Sequence, residues 1–183
     1  MASEKDLLLF FGSGRTGSTL MGQIINYHPE CLISNETRFL QNVTINNIDL
    51  MIAVDEMIVQ AKRIFEEGLE SDQKFGKTLS NYQKKWSSFG HLSSEPDFQK
   101  KTIRLIGDKK AGGNTEALIT APQEVERFVL DNQYFQTVFL LQMIRDPVTS
   151  ALSYMDSHKV PSFTEACNQI VRNTKIAYSF IGS

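Results

Sequence analysis

Apolar positions along this 183-residue chain fall into short continuous runs separated by stretches of helical spacing. The first run, Leu7-Leu8-Leu9-Phe10-Phe11, predicts a buried strand. It ends in Gly12-Ser13-Gly14-Arg15-Thr16-Gly17, after which Leu20, Ile24 and Ile25 predict a short helix closing near Tyr27-His28-Pro29. Cys31-Leu32-Ile33-Ser34 predicts a second strand, with Asn35-Glu36-Thr37 at its C-terminal end. Between 48 and 69, residues Met51, Ile52, Met57, Ile58, Ala61, Ile64 and Phe65 recur at helical spacing. Residues 70–101 are polar and mixed, with Trp86 and Phe89 as candidate anchors, and the region of about 46–101 reads as a helical or irregular insertion. A third strand is predicted over 102–107, running into Asp108-Lys109-Lys110. Thr120 and Gln123, with Pro122 between them, have the form of a capping box opening a helix to about Asn132. Val138-Phe139-Leu140-Leu141-Gln142-Met143-Ile144 predicts another buried strand, ending in Arg145-Asp146-Pro147. Ser162 and Glu165 form a second capping box, for a last helix with Ala166, Ile170, Thr174 and Ala177 along one side.

Strands alternating with helices predict an α/β fold: one domain over 1–183 with an open, mostly parallel sheet flanked by helices. In such sheets ligands gather beyond the C-terminal ends of the strands. Arg15, Glu36, Lys109 and Arg145 each follow a predicted strand, so the pattern directs them to one shared site.

The strand, Gly-rich turn and helix at 7–25 is an arrangement in which backbone N–H groups converge on a phosphate. Gly12 and Gly17 have the spacing of a Walker A loop, but Ser18 stands where a nucleotide triphosphatase needs its Lys. The cation lies inside the loop instead, at Arg15. A net charge of −2 supplies no global basic field, so nucleic acid is not expected and an anion site must be built locally. Cys31 and Cys167 have neither metal nor redox spacing and read as reduced packing residues. The polar N-terminus leads into only five apolar residues, too few for a signal peptide or membrane span, and a cytoplasmic setting is expected. The Asn-x-Thr sequons at Asn35 and Asn42 would matter only after secretion. His28, His91 and His158 form no metal-ligand spacing, and no metal is expected.

Two of these segments carry a resemblance. Gly14-Arg15-Thr16-Gly17-Ser18-Thr19 is similar, apart from a leading Pro, to the 5′-phosphosulfate loop of sulfotransferases that use 3′-phosphoadenosine 5′-phosphosulfate (PAPS). Arg145, with Ser153 eight residues later on the next predicted helix, resembles their 3′-phosphate motif. The segment through Asn35-Glu36-Thr37-Arg38 resembles that of tyrosylprotein sulfotransferases, where a Glu matching Glu36 is the proposed base. Lys109 matches in part a Lys that points at the transferred group. The resemblance covers roughly half the chain and implies a P-loop sulfotransferase fold, with PAPS as co-substrate and PAP, the desulfated nucleotide, as product. It implies that Gly14, Arg15, Thr16, Gly17, Ser18, Thr19, Arg145 and Ser153 bind the nucleotide. Arg15, Glu36 and Lys109 would serve the transfer, with Glu36 as a general base whose pKa a partly dry pocket raises. His91 is an alternative base. Family members usually run on to a basic loop that closes over the nucleotide, and this chain ends one predicted helix after Ser153, so the resemblance leaves three expectations open: a C-terminally shortened product, a very compact member, or one that takes the missing wall from a partner.

Three functions stay open at this point. One is sulfuryl transfer from PAPS to a hydroxyl acceptor, either a small molecule or a peptide. Another is a nucleotide-binding or assembly domain without catalysis; whether the chain forms a homo-oligomer is left open by all three. The third is a P-loop kinase with a displaced cation.

Overall fold

The computed structural model describes residues 4–66, 102–158, 160 and 162–182. The first apolar run becomes β1 (Asp6–Phe11), followed by α1 (Ser18–Asn26) and β2 (Cys31–Ser34). Next come α2 (Phe39–Thr44) and α3 (Leu50–Glu66). The chain continues through β3 (Leu105–Asp108), α4 (Ala111–Thr120), α5 (Pro122–Asp131) and β4 (Val138–Gln142). It closes with α6 (Pro147–His158) and α7 (Phe163–Ile181). The described strands form one all-parallel sheet in the order β2-β3-β1-β4. The α/β class with helices flanking a parallel sheet is therefore as expected.

The alternation of side chains along β1 divides the core in two. Leu7, Leu9 and Phe11 face a large cluster with Leu32, Phe39, Met57, Ile106, Val125 and Ala177. Leu8 and Phe10 face a smaller cluster with Ile33 and Ala111, covered by Met21 and Ile25 of α1. Because β1 is buried on both faces, it reads as an unbroken apolar run rather than an alternating one. Helices α6 and α7 form a hairpin of their own around Ala151, Tyr154, Ala166 and Ile170.

Several elements differ from the sequence pattern. β4 is not a buried strand: among the described residues it lies at the sheet edge with β1 as its one strand neighbour, and Phe139 is 48% exposed. Thr120 does not cap a helix. It ends α4, and the next helix starts from Ala121 with no side-chain cap and Pro122 in its first turn. α4 itself goes unread in the sequence because it opens Ala-Gly-Gly-Asn-Thr, a run poor in helix formers. Burial of Ala111, Asn114, Thr115, Ala117 and Leu118 holds it helical. α2 was likewise unexpected, being only six residues long and stabilised by packing of Phe39 and Leu40. The third strand starts later than expected, at Leu105, and takes in Asp108. On α7 the buried positions are Ala166, Ile170, Asn173 and Ala177, and Ser162 accepts the Glu165 amide as a capping box requires.

Within the stretch read as an insertion, α3 packs Ala53, Val54, Met57 and Ala61 into the main core. Trp86, Phe89 and His91 lie outside the described residues. Among the described residues no helix is long and apolar enough to cross a membrane. Cys31 and Cys167 are not disulfide-bonded.

Candidate functional site

The four described strands deliver their C-terminal ends to the same edge, and every charged candidate follows one of those ends. The 12–19 loop leaves the central strand β1. It turns through Gly12 at φ 112 and Gly17 at φ 95, angles that suit glycine. Arg15 adopts φ 68, a left-handed conformation that costs a non-glycine residue free energy and that the surrounding contacts must hold. One such contact is Thr115 of α4, whose Oγ1 accepts the Gly12 amide at 2.8 Å and shares its proton between the Gly12 and Ala111 carbonyls, each 3.0 Å away. Asn114 donates to the Phe10 carbonyl at 3.0 Å, so the helix missed in the sequence clamps the base of the loop.

Gly17 is the N-cap of α1, with no side-chain cap and no acidic residue in the first turn. The N-terminal amides of α1 therefore have no side-chain acceptor supplied by the cap and favour an anion. Ser18 is buried at the start of that turn. Thr16, read as a ligand hydroxyl, instead donates within the loop to the Ser13 carbonyl at 3.1 Å. The buried Ser13 Oγ meets no hydrogen-bond partner among the described residues. Gly14 lies half-buried between Ser13 and Arg15.

On the β4 side, the loop meets the Arg145 segment. Arg15 Nε donates to Ser153 Oγ at 2.9 Å, and Arg145 Nη1 donates to the Arg15 carbonyl at 3.3 Å. The loop and the Arg145 segment, 130 residues apart in the chain, are thus joined in both directions, one Arg reaching across from each side. Asp146 accepts the Thr149 amide at 2.7 Å and the Thr149 hydroxyl at 2.5 Å, contacts that hold its carboxyl below the usual range. It acts as the cap of α6, ahead of Pro147, and fixes where Ser153 emerges.

On the β3 side lies a cluster of Lys109, Lys110 and Glu36. Lys109, 6% exposed, donates to Thr19 Oγ1 at 2.9 Å and to Glu36 Oε1 at 3.2 Å. Lys110 donates to Glu36 Oε2 at 2.9 Å. Burial alone would raise the Glu36 pKa, but the two ammonium groups outweigh it and hold the carboxyl below its ordinary value. This corrects the expectation that a dry pocket raises it: the pocket brings its own cations. Burial also draws the Lys109 ammonium below the usual lysine range, opposed by Glu36 and Asp108.

Asp108 was not read as a site residue, yet it organises this side. It is fully buried, and its carboxylate accepts the Thr37 amide at 3.0 Å and the Phe39 amide at 3.1 Å. Ser34 Oγ lies 3.4 Å from the same carboxylate. Burial pushes its pKa up against these donors. The segment it grips contains two left-handed residues, Glu36 at φ 67 and Arg38 at φ 59. The sequence signal was an acidic residue closing an apolar strand run. Asp108→Ala leaves both amides without an acceptor and is expected to lower stability by about 1–3 kcal/mol for each. The check is urea unfolding, with a lower midpoint at an unchanged slope.

His28 accepts the Glu30 amide at 3.2 Å in the turn after α1. Among the described residues no group of His, Cys, Asp or Glu is arranged to hold a metal ion. The chain matches no protein-family model and no curated protein.

Proposed function

We propose that this protein is a PAPS-dependent sulfotransferase with a P-loop sulfotransferase fold, moving a sulfuryl group to a hydroxyl of a small molecule or peptide. The observation that carries the proposal is the joining of the two anion motifs: Arg15 bonds Ser153, and Arg145 bonds the Arg15 carbonyl. A ligand anionic at two places, such as a 3′,5′-bisphosphorylated nucleoside, suits a loop and a second Arg held together this way.

The residues fit such a nucleotide. The loop amides around Gly14 and Gly17, the first turn of α1 and the unpartnered Ser13 hydroxyl suit the 5′ group. Arg145 and Ser153 suit the 3′-phosphate. Arg15 supplies electrostatic stabilisation of the leaving phosphate. Lys109, beside Thr19, suits the oxygens of the transferred group. In the transfer, the acceptor oxygen bonds to sulfur as the sulfur–oxygen bond to the 5′-phosphate breaks. The acceptor proton goes to Glu36, and the bond's electron pair leaves on the phosphate. A cytoplasmic setting goes with this reading, where thiols such as Cys31 and Cys167 stay reduced.

Lys109 beside Thr19 also puts an ammonium near the position of the missing Walker Lys, which keeps the kinase reading in the test. Calorimetric titration should show PAP binding that ATP with Mg²⁺ does not displace. Tighter binding of ATP with Mg²⁺ overturns the proposal in favour of a kinase. PAP binding without turnover on phenols, sugars, alcohols and peptides reduces it to a binding domain.

A further inference from the structure

We propose that an anion held in the 12–19 loop draws the Lys109 ammonium away from Glu36, converting Glu36 from an ion-pair anchor into a proton acceptor. The inference rests on reading the loop as an anion site. It answers a difficulty in the geometry: a carboxylate bonded to two ammonium groups is a poor base, yet Glu36 is the carboxylate best placed at this edge.

Lys109 is the link. Its single charge is shared between Thr19 Oγ1 in the first turn of α1 and Glu36 Oε1. At 6% exposed, it has little access to bulk water with which to replace a lost partner. An anion at the α1 N-terminus adds negative charge on the Thr19 side of the same ammonium. Lys109 then divides its attraction between two anions, and those anions repel each other across it. Both effects favour the protonated form of Glu36.

Glu36 has little freedom to respond by moving away. Its backbone is left-handed, and Asp108 holds the amides of Thr37 and Phe39 just after it. Lys110 keeps the second oxygen, Oε2, in place. The charged groups facing Glu36 are therefore Lys109 from the end of β3 and Lys110 at the start of α4. Asp108 acts behind Lys109, α1 contributes the Thr19 hydroxyl, and Arg38 on Glu36's own loop is exposed. The coupling is reciprocal, so protonating or neutralising Glu36 strengthens the hold on the anion.

The probe is inorganic sulfate, which does not titrate across the range studied and requires no turnover. Carboxyl-carbon NMR on the full wild-type chain, with Glu36 assigned through its own backbone amide, follows its titration in sulfate and in chloride of equal ionic strength. The expected result is a Glu36 midpoint that moves to higher pH in sulfate. Glu36→Gln should in addition bind sulfate about fivefold tighter at neutral pH, the low end of usual couplings between sites. The midpoint is read on the wild-type chain and stands whether or not the variant folds. Sulfate that shifts the Gly14, Gly17 and Ser18 amide signals but leaves the Glu36 midpoint unchanged overturns this inference and spares the anion site. Sulfate that leaves those amides unmoved overturns the anion-site reading and this inference with it.

Discussion

Glu36→Gln is expected to lower turnover on a verified hydroxyl acceptor by about 10²–10⁴-fold while PAP affinity holds or tightens. Gln keeps the shape and its amide oxygen can still accept from a lysine, but it takes no proton at working pH. Affinity holds or improves because the change removes a negative charge beside Lys109, which sits at the entrance to α1. The competing account makes Glu36 a residue that merely favours a helix N-terminus. It predicts normal turnover and a stability loss of about 0.3–1 kcal/mol. In the structure the carboxylate that accepts the Phe39 amide at the start of α2 belongs to Asp108, whereas Glu36 is committed to the two lysines. Measuring kcat, PAP affinity and Tm on this variant separates the accounts, and normal turnover would remove Glu36 from the mechanism.

Arg145→Ala is expected to weaken PAP binding roughly 30-fold or more, the low end for truncating one partner of a desolvated charge pair. The same change should barely alter the weaker binding of adenosine 5′-phosphosulfate, which has no 3′-phosphate. Some loss common to both ligands will come from the bond between Arg145 and the Arg15 carbonyl, which helps hold the loop. The discriminating quantity is therefore the ratio of the two losses. Equal losses would show that Arg145 supports the loop and does not read the 3′-phosphate.

The strand, turn and helix around the 12–19 loop were legible because their signal is local. A buried strand, two glycines at turning points and a helix start all fall within residues 7–26, and each follows from short-range sterics and hydrogen bonding. The convergence of Arg15, Glu36, Lys109 and Arg145 on one edge was legible for a related reason. In a parallel sheet every strand points the same way, so a residue's place after a strand also states its edge.

What was not legible depends on contacts between distant segments. Asp108 had no role in the sequence pattern, and only the packing of β2 beside β3 shows that it holds the backbone of the Glu36 loop. Lys110 had no role in the sequence pattern, and only the left-handed turn at Glu36 brings the carboxylate between the two lysines. Thr115 lies on a helix with little intrinsic propensity, so its clamp on Gly12 had no local signal.

By itself, then, the sequence determined the class of fold, the edge that carries the candidate site and the strand, turn and helix of the 7–26 segment, because these follow from periodicity, strand direction and turn geometry. Tertiary structure alone decided the strand order, the exposure of β4 and the direction in which the Glu36 pKa moves. Those depend on which groups lie a few ångströms apart after long-range closure, as when Lys109 bonds a hydroxyl 90 residues away. The pKa of a carboxylate follows its neighbours in space, and in this protein the neighbours of Glu36 are two lysines more than 70 residues along the chain.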